Sequence, residues 1–381
     1  MASKRILGQR GLLQFVKRRQ TVGMAGRRIS GGMAGGALVL AIILSCGAAV
    51  PARAAEEDAA TAALRAELAA LPCKIVFERY DKDNWELYVM NADGTDPRNL
   101  TQTPDIHEMY PQASPDGTRI CFEADVEKDG DTLRSVYYMN ADGTGRTLVA
   151  EKSRQPCWSP DGTKIAFVRQ EFPKLNITDY VSKGLCFYDL KTGETTEHPN
   201  KEICHLYNLT WSADGRWIVS TVHAGMGFSH GIIAIEVGGM GVYDLKLSGC
   251  RPCLSADGRQ ICWGADDHTI RTADIDFSGG VPKVSNGKIV SKAEVLHQYH
   301  SDFSPDGKYV SYSVGPGGRT QAKGPGTHTE VAEMVSVAGK WNLFVKRSNG
   351  EGPAVQLTWD EDLSNKESEW LPVASSTKAK P

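Results

Sequence analysis

Nine histidines and two arginines are the residues of this 381-residue chain best equipped for chemistry. His107, His205 and His297 each lie seven residues before a serine of a recurring S-[PA]-D-G phrase. His223, His230, His300 and His328 occupy or border polar segments between those phrases. Imidazole is the commonest metal ligand and ionises near neutral pH, so a ring of histidines would suit a polar ligand or a divalent metal. Arg154 and Arg251 precede two further copies of the phrase, where a bidentate guanidinium would suit a carboxylate or an acidic sugar. A plainer reading stands beside each: histidine favours polar loops over strands, and a surface arginine pairs with a neighbouring glutamate.

Other motifs invite catalytic readings that their context refuses. Gly227-Phe228-Ser229-His230-Gly231 matches G-x-S-x-G, but a nucleophile elbow needs a strand, a turn and a helix inside a hydrolase domain. Repeats continue on both sides of it and leave no room for one. Cys250-Arg251-Pro252-Cys253 lacks the βαβ context of a redox motif and the second C-x-x-C of a zinc site. Asp81–Glu86 and Asp129–Asp131 lack the twelve-residue calcium pattern and read as solvated loop acids. No catalytic residue is assigned.

The elements that position these side chains follow from the repeat. ASPDGTRICFEA (113–124), CWSPDGTKIAFVR (157–169), WSADGRWIVSTV (211–222), LSADGRQICWGA (254–265) and FSPDGKYVSYSV (303–314) carry serines at 114, 159, 212, 255 and 304. Pro presets the φ of a type I turn, and Gly can take the left-handed conformation that closes a bulged hairpin. Alternating apolar runs flank each turn, and a second turn (MNADGT at 90–95 and 139–144, DLKTGE at 189–194, SNGEG at 348–352) lies between two more short strands. Four strands every 43 to 53 residues is the period of a propeller blade. The ends complement each other: 73–102 holds the last three strands of a blade, and ESEWLPV (367–373) aligns with the innermost strand RQPCWSP. The expected fold is all-β, a six-bladed β-propeller of four-stranded antiparallel blades, closed by pairing of the N- and C-terminal strands. Cys253 should face Cys262 across one hairpin, where a disulfide is geometrically conceivable. Cys121 should face Gln112 and Cys157 should face Ala166, as buried small hydrophobes.

The five S-[PA]-D-G hairpins and the MNADGT turns resemble the WD40-like repeats of TolB-type six-bladed propellers, over about residues 73–373. The resemblance implies the fold, export, and a tendency to bind partners. TolB proper carries an α/β domain before its propeller, whereas here residues 54–72 suffice for one Ala-rich helix, so its envelope role does not carry over. In such a propeller the S-P-D-G and N-A-D-G turns share one face. The longer loops 171–184, 223–231 and 315–340 lie on the other, together with all nine histidines, and variable loops on a rigid scaffold are where binding resides. The reading is a binding or scaffold module that docks a protein or cell-envelope glycan and needs no cofactor. The alternative is a metal-dependent enzyme acting on acidic oligosaccharides. Oligogalacturonate lyases resemble the chain in using such repeats with a histidine-held metal, although they are seven-bladed and their ligands do not match here residue by residue.

The first 54 residues hold nine Lys and Arg and no Asp or Glu, then the apolar run GALVLAIILSCGAAV and Ala52-Arg53-Ala54, which together describe a signal peptide. The expected organisation is a signal at 1–54, a helical lead-in at 55–72, the propeller at 73–373 and a disordered tail at 374–381. Beyond the signal the chain keeps 34 basic against 46 acidic residues, a formal net charge of −12. That charge argues against nucleic acid. A monomeric periplasmic or otherwise extracytoplasmic protein, not integral to the membrane once the signal is removed, is expected. Its eight cysteines permit disulfides without defining them.

Overall fold

The S-P-D-G turns are closed by their own side chains. In the first, the Gly117 N–H donates to the Ser114 carbonyl at 2.8 Å. The Ser114 hydroxyl donates to Asp116 at 2.6 Å and accepts from the Arg119 N–H at 2.9 Å. The serine–aspartate link recurs at Ser159, Ser212, Ser255 and Ser304. Such closure fixes hairpin register from local sequence alone. Gly117 (φ +68°) is required for a second reason: a Cβ there would lie 1.8 Å from the Pro372 carbonyl oxygen, so only glycine lets the C-terminal strand pass.

The structure is a computed structural model and describes residues 57–176, 178, 180–316, 340–360 and 362–373. The expected signal, the expected tail, His328 and most of the 315–340 loop lie outside the described residues. Within them, six four-stranded antiparallel sheets form a ring, as the repeat predicts. Their inner strands are His107–Ala113, Ser153–Trp158, Leu206–Trp211, Cys250–Leu254, His297–Phe303 and Ser364–Pro372. The first five begin blades two to six. The sixth pairs with Cys73–Asp81, followed outward by Asn84–Asn91 and Arg98–Asn99, to make blade one from both ends of the chain. Its register sets Cys73 against Pro372 and Ile75 against Trp370.

Neighbouring blades pack face to face. Val76, Leu87 and Val89 of blade one meet Ile120, Phe122 and Met139 of blade two. Cys121 and Val136 of blade two meet Trp158, Ile165 and Phe167 of blade three. The lead-in forms helix α1 (Ala59–Ala69), capped by Asp58, which accepts from the Ala60 and Thr61 N–H groups. Its Leu64 and Leu68 pack into the cluster shared by blades six and one, so the helix covers the seam beside the closing blade. Among the described residues no helix is long and apolar enough to cross a membrane. Lys82 and Asp83 (φ +51° and +65°) form an exposed two-residue hairpin turn, and Asp129–Gly130 forms another; Asn84 and Glu86 instead belong to the strand Asn84–Asn91, where Glu86 accepts from the Thr101 hydroxyl and the Thr103 N–H. Cys253 faces Cys262, Gln112 faces Cys121 and Ala166 faces Cys157 as expected. The eight cysteines among the described residues are free thiols.

Candidate functional site

All six inner strands share a defect that the repeat does not announce. Each loses register with its neighbour at a β-bulge. Each also carries a non-glycine residue in the left-handed region: Tyr110, Gln155, Asn208, Arg251, His300 and Glu367, with φ between 45° and 57°. In the first five these stand four residues before the repeat serine. Left-handed backbone at an ordinary residue costs about 1–3 kcal/mol and gathers where side chains must be aimed. Four of the bulged N–H groups are held by a side chain of the preceding blade. Glu78 takes the Tyr110 N–H at 3.0 Å, Glu123 takes the Gln155 N–H at 2.7 Å, the Gln155 side chain takes the Asn208 N–H at 2.7 Å, and Thr221 takes the Arg251 N–H at 2.8 Å.

Side chains of the bulge residues meet across the channel. Arg251 reaches Glu367 at 2.8 Å and Asn208 at 3.0 Å, and His300 Nε2 lies 3.0 Å from the same Glu367 oxygen. Burial, then Arg251 and Lys366, hold His300 well below the usual imidazole range, so it is neutral. This ring ends a cavity of about 250 Å³ that opens between the S-P-D-G turns, past Pro115, Pro160, Pro305 and Pro372. Asp302 and Glu369 line it one step nearer the opening. Asp302 accepts from the Trp370 N–H at 3.0 Å and from the Cys253 thiol at 2.7 Å, which is the strand-fixing role its place before the turn suggests. Sequence reasoning missed Glu367, Glu369, Asn208 and Gln155; for Gln155 and Asn208 the signal available was their fixed offset of four residues from the repeat serine.

Glu78 offers a pH test of this layer. Burial pushes its carboxyl up from 4.5 to about 7, against Lys366 and the Tyr110 N–H. Between those values the folded chain keeps a proton that the unfolded chain releases, so the contribution of this group is present below pH 4.5 and is lost as pH rises to about 7. Glu78→Gln keeps an acceptor for Tyr110. The stability of wild type relative to this variant should fall with pH across that window, by up to about 1.4 kcal/mol per unit. Urea unfolding at several pH values checks it, and parallel curves would refute it.

The predicted residues divide between the two ends of the channel. Arg251 and His300 belong to the ring. Arg154 instead donates to the Thr178 and Val181 carbonyls at 2.9 and 3.1 Å and pins the long loop of its own blade. His107 accepts from the Trp85 N–H at 3.2 Å. On the loop-rich face of blades three and four, Tyr180 stacks 4.3 Å from His223 and meets His205 at 6.2 Å. His223 and His230 approach at 3.0 Å, and His205 contacts Glu171 at 3.1 Å. Partial burial, then His223, keep His230 below its usual range. In blades five and six, His297 sits between His268 (4.9 Å) and Tyr299 (5.8 Å). The three spaced histidines 107, 205 and 297 thus serve separate local clusters. Among the described residues no three His, Cys, Asp or Glu side chains gather to hold a metal ion. The Gly227–Gly231 motif spans a hairpin loop and the start of the strand His230–Glu236, without the helix an elbow needs.

Fold and channel define a six-bladed β-propeller. The chain is similar to TolB from Acinetobacter baumannii, with 18% identity and a TM-score of 0.56 over 79% of this chain and 67% of that one. It is also similar to a chain in a nidogen/laminin complex, with 8% identity and a TM-score of 0.54 over 79% and 99%. At these identities the likeness is one of fold. No protein-family model and no curated protein matches the sequence.

Proposed function

We propose that this is an exported binding module whose loop-rich, histidine-bearing face docks a partner, and that a protein suits that face better than a cell-envelope glycan. The observation that carries the reading is the company the histidines keep. Phe172, Val295, Leu296 and Trp359 are 45–76% exposed and lie in the loops and inter-blade links of the histidine face. Aromatic and apolar anchors beside polar, titratable groups are the composition of a protein interface. The similarity to a chain in a nidogen/laminin complex adds a propeller studied in a protein assembly.

The test is proximity labelling with photo-crosslinkers placed at Phe172 and Trp359, against control sites on the S-P-D-G turns. A single protein labelled from the loop face, and lost with a Tyr180→Ala/His223→Ala variant that unfolds like wild type, supports the reading. Labelling from the turn face alone, or a glycan as the retained species, would overturn it.

A further inference from the structure

The cavity on the opposite face suits a different ligand, and it rests on residues the docking face does not use. Its deepest charges are matched, since Arg251 pairs with Glu367 and His300 is neutral. One step nearer the opening, Asp302 and Glu369 hydrogen-bond to each other, with Glu369 raised by burial and then by Asp302. Two carboxyls this close share one proton and keep one negative charge. The donors around them are neutral: the Cys253 thiol, the Trp370 N–H, the Gln112 amide at 3.2 Å and the Ala113 N–H. Beside Asp302 in the cavity lining, Ser301 is 5% exposed and its hydroxyl has no hydrogen-bond partner. A buried hydroxyl left in this state is costly unless a ligand supplies the bond.

The approach to this pair is apolar and narrow. Trp158, Trp370 and the rim prolines wall it. An aliphatic stem would lie against the indoles and prolines, and a cationic head would meet the carboxyl pair.

We propose that the cavity opening between the S-P-D-G turns binds an organic cation, an alkylammonium or alkylguanidinium group, with Glu369 and Asp302 receiving its charge and Ser301 one of its N–H groups. The group would reach the site as a free amine or as a Lys or Arg side chain. The two sources share this chemistry.

The experiment titrates the full mature chain with n-butylamine and n-butylguanidine, with butanol and butyrate as isosteric controls, following the indole N–H signals of Trp158 and Trp370 by NMR. One-to-one saturation by the cations, with the controls at least tenfold weaker, is expected. Glu369→Gln, isosteric and partly exposed to the cavity, should weaken the cations about tenfold or more and leave the controls unchanged. Ser301→Ala should weaken them a few-fold. A Lys-containing tripeptide that competes with butylamine and binds more tightly would identify a side chain as the source; competition without a gain would identify a free amine. Equal binding of butanol, no saturation by either cation, or unchanged affinity in Glu369→Gln would overturn the proposal. The wild-type comparison of cation with butanol stands even if a variant fails to fold.

Discussion

Replacing Arg251 with Leu should destabilise the protein by about 3–5 kcal/mol, the usual cost of removing one member of a buried ion pair. Arg251 is 2% exposed and joins blade five to blade one through Glu367 and to blade four through Asn208. The substitution takes the guanidinium from a carboxylate that is itself 8% exposed. It also removes one of the influences that keep His300 neutral, after burial the largest. The imidazole beside Glu367 is then easier to protonate, so the loss should be smaller near pH 5 than at pH 8. The double variant Arg251→Leu/Glu367→Gln should cost less than the sum of the two single changes, because residues in contact are not additive. Denaturant unfolding of the four proteins at both pH values checks all three statements. A loss below 1 kcal/mol, or strict additivity, would mean that the ring is not held by this pair.

Deleting residues 364–373 should abolish cooperative folding outright. Those residues supply the inner strand of blade one, and with it Trp370 and Leu371, 3% and 5% exposed. Truncating one large core side chain costs about 2–5 kcal/mol, and a domain holds only about 5–15 kcal/mol in total. The deletion also removes Glu367 from Arg251 and the Trp370 N–H from Asp302, and it leaves Cys73–Asp81 as an unpaired edge, a template for aggregation. Size-exclusion chromatography with near-ultraviolet circular dichroism should show an associated species without fixed aromatic packing. A synthetic 362–373 peptide added during refolding should restore the native signal. A monomeric, cooperatively melting truncation would contradict ring closure by this strand.

Much of the fold is legible in the sequence because its determinants are short-range. A serine, an aspartate and a glycine within four residues close each turn, and five in register define the period. Closure is legible because the two ends hold complementary parts of one blade. The site is less so, because a bulge separates strand position from side-chain direction and leaves no mark on composition. Arg154 and Arg251 look equivalent as residues that precede a repeat serine. Arg251 stands four before it and enters the ring, while Arg154 stands five before and turns to its own loop. The last inner strand hides the effect further. Aligning ESEWLPV with RQPCWSP sets Glu367 beside Arg154, but the left-handed residue shows that it matches Gln155. A slip of one residue reverses inside and outside on a strand, so Glu367 and Glu369 stay out of sight until the register is known. The cavity opening was likewise hidden, because the regular turns mark their face as architectural.

The six bulges also separate what the backbone requires from what the side chain does. One irregular conformation recurs six times around the axis, yet its occupants are tyrosine, glutamine, asparagine, arginine, histidine and glutamate. The scaffold thus repeats one backbone conformation at six places in the heart of the molecule, and at Tyr110, Gln155, Asn208 and Arg251 a side chain of the preceding blade holds the main-chain N–H. The character of the lumen is accordingly written in the six side chains, while the path of the chain around the axis is written in the bulges.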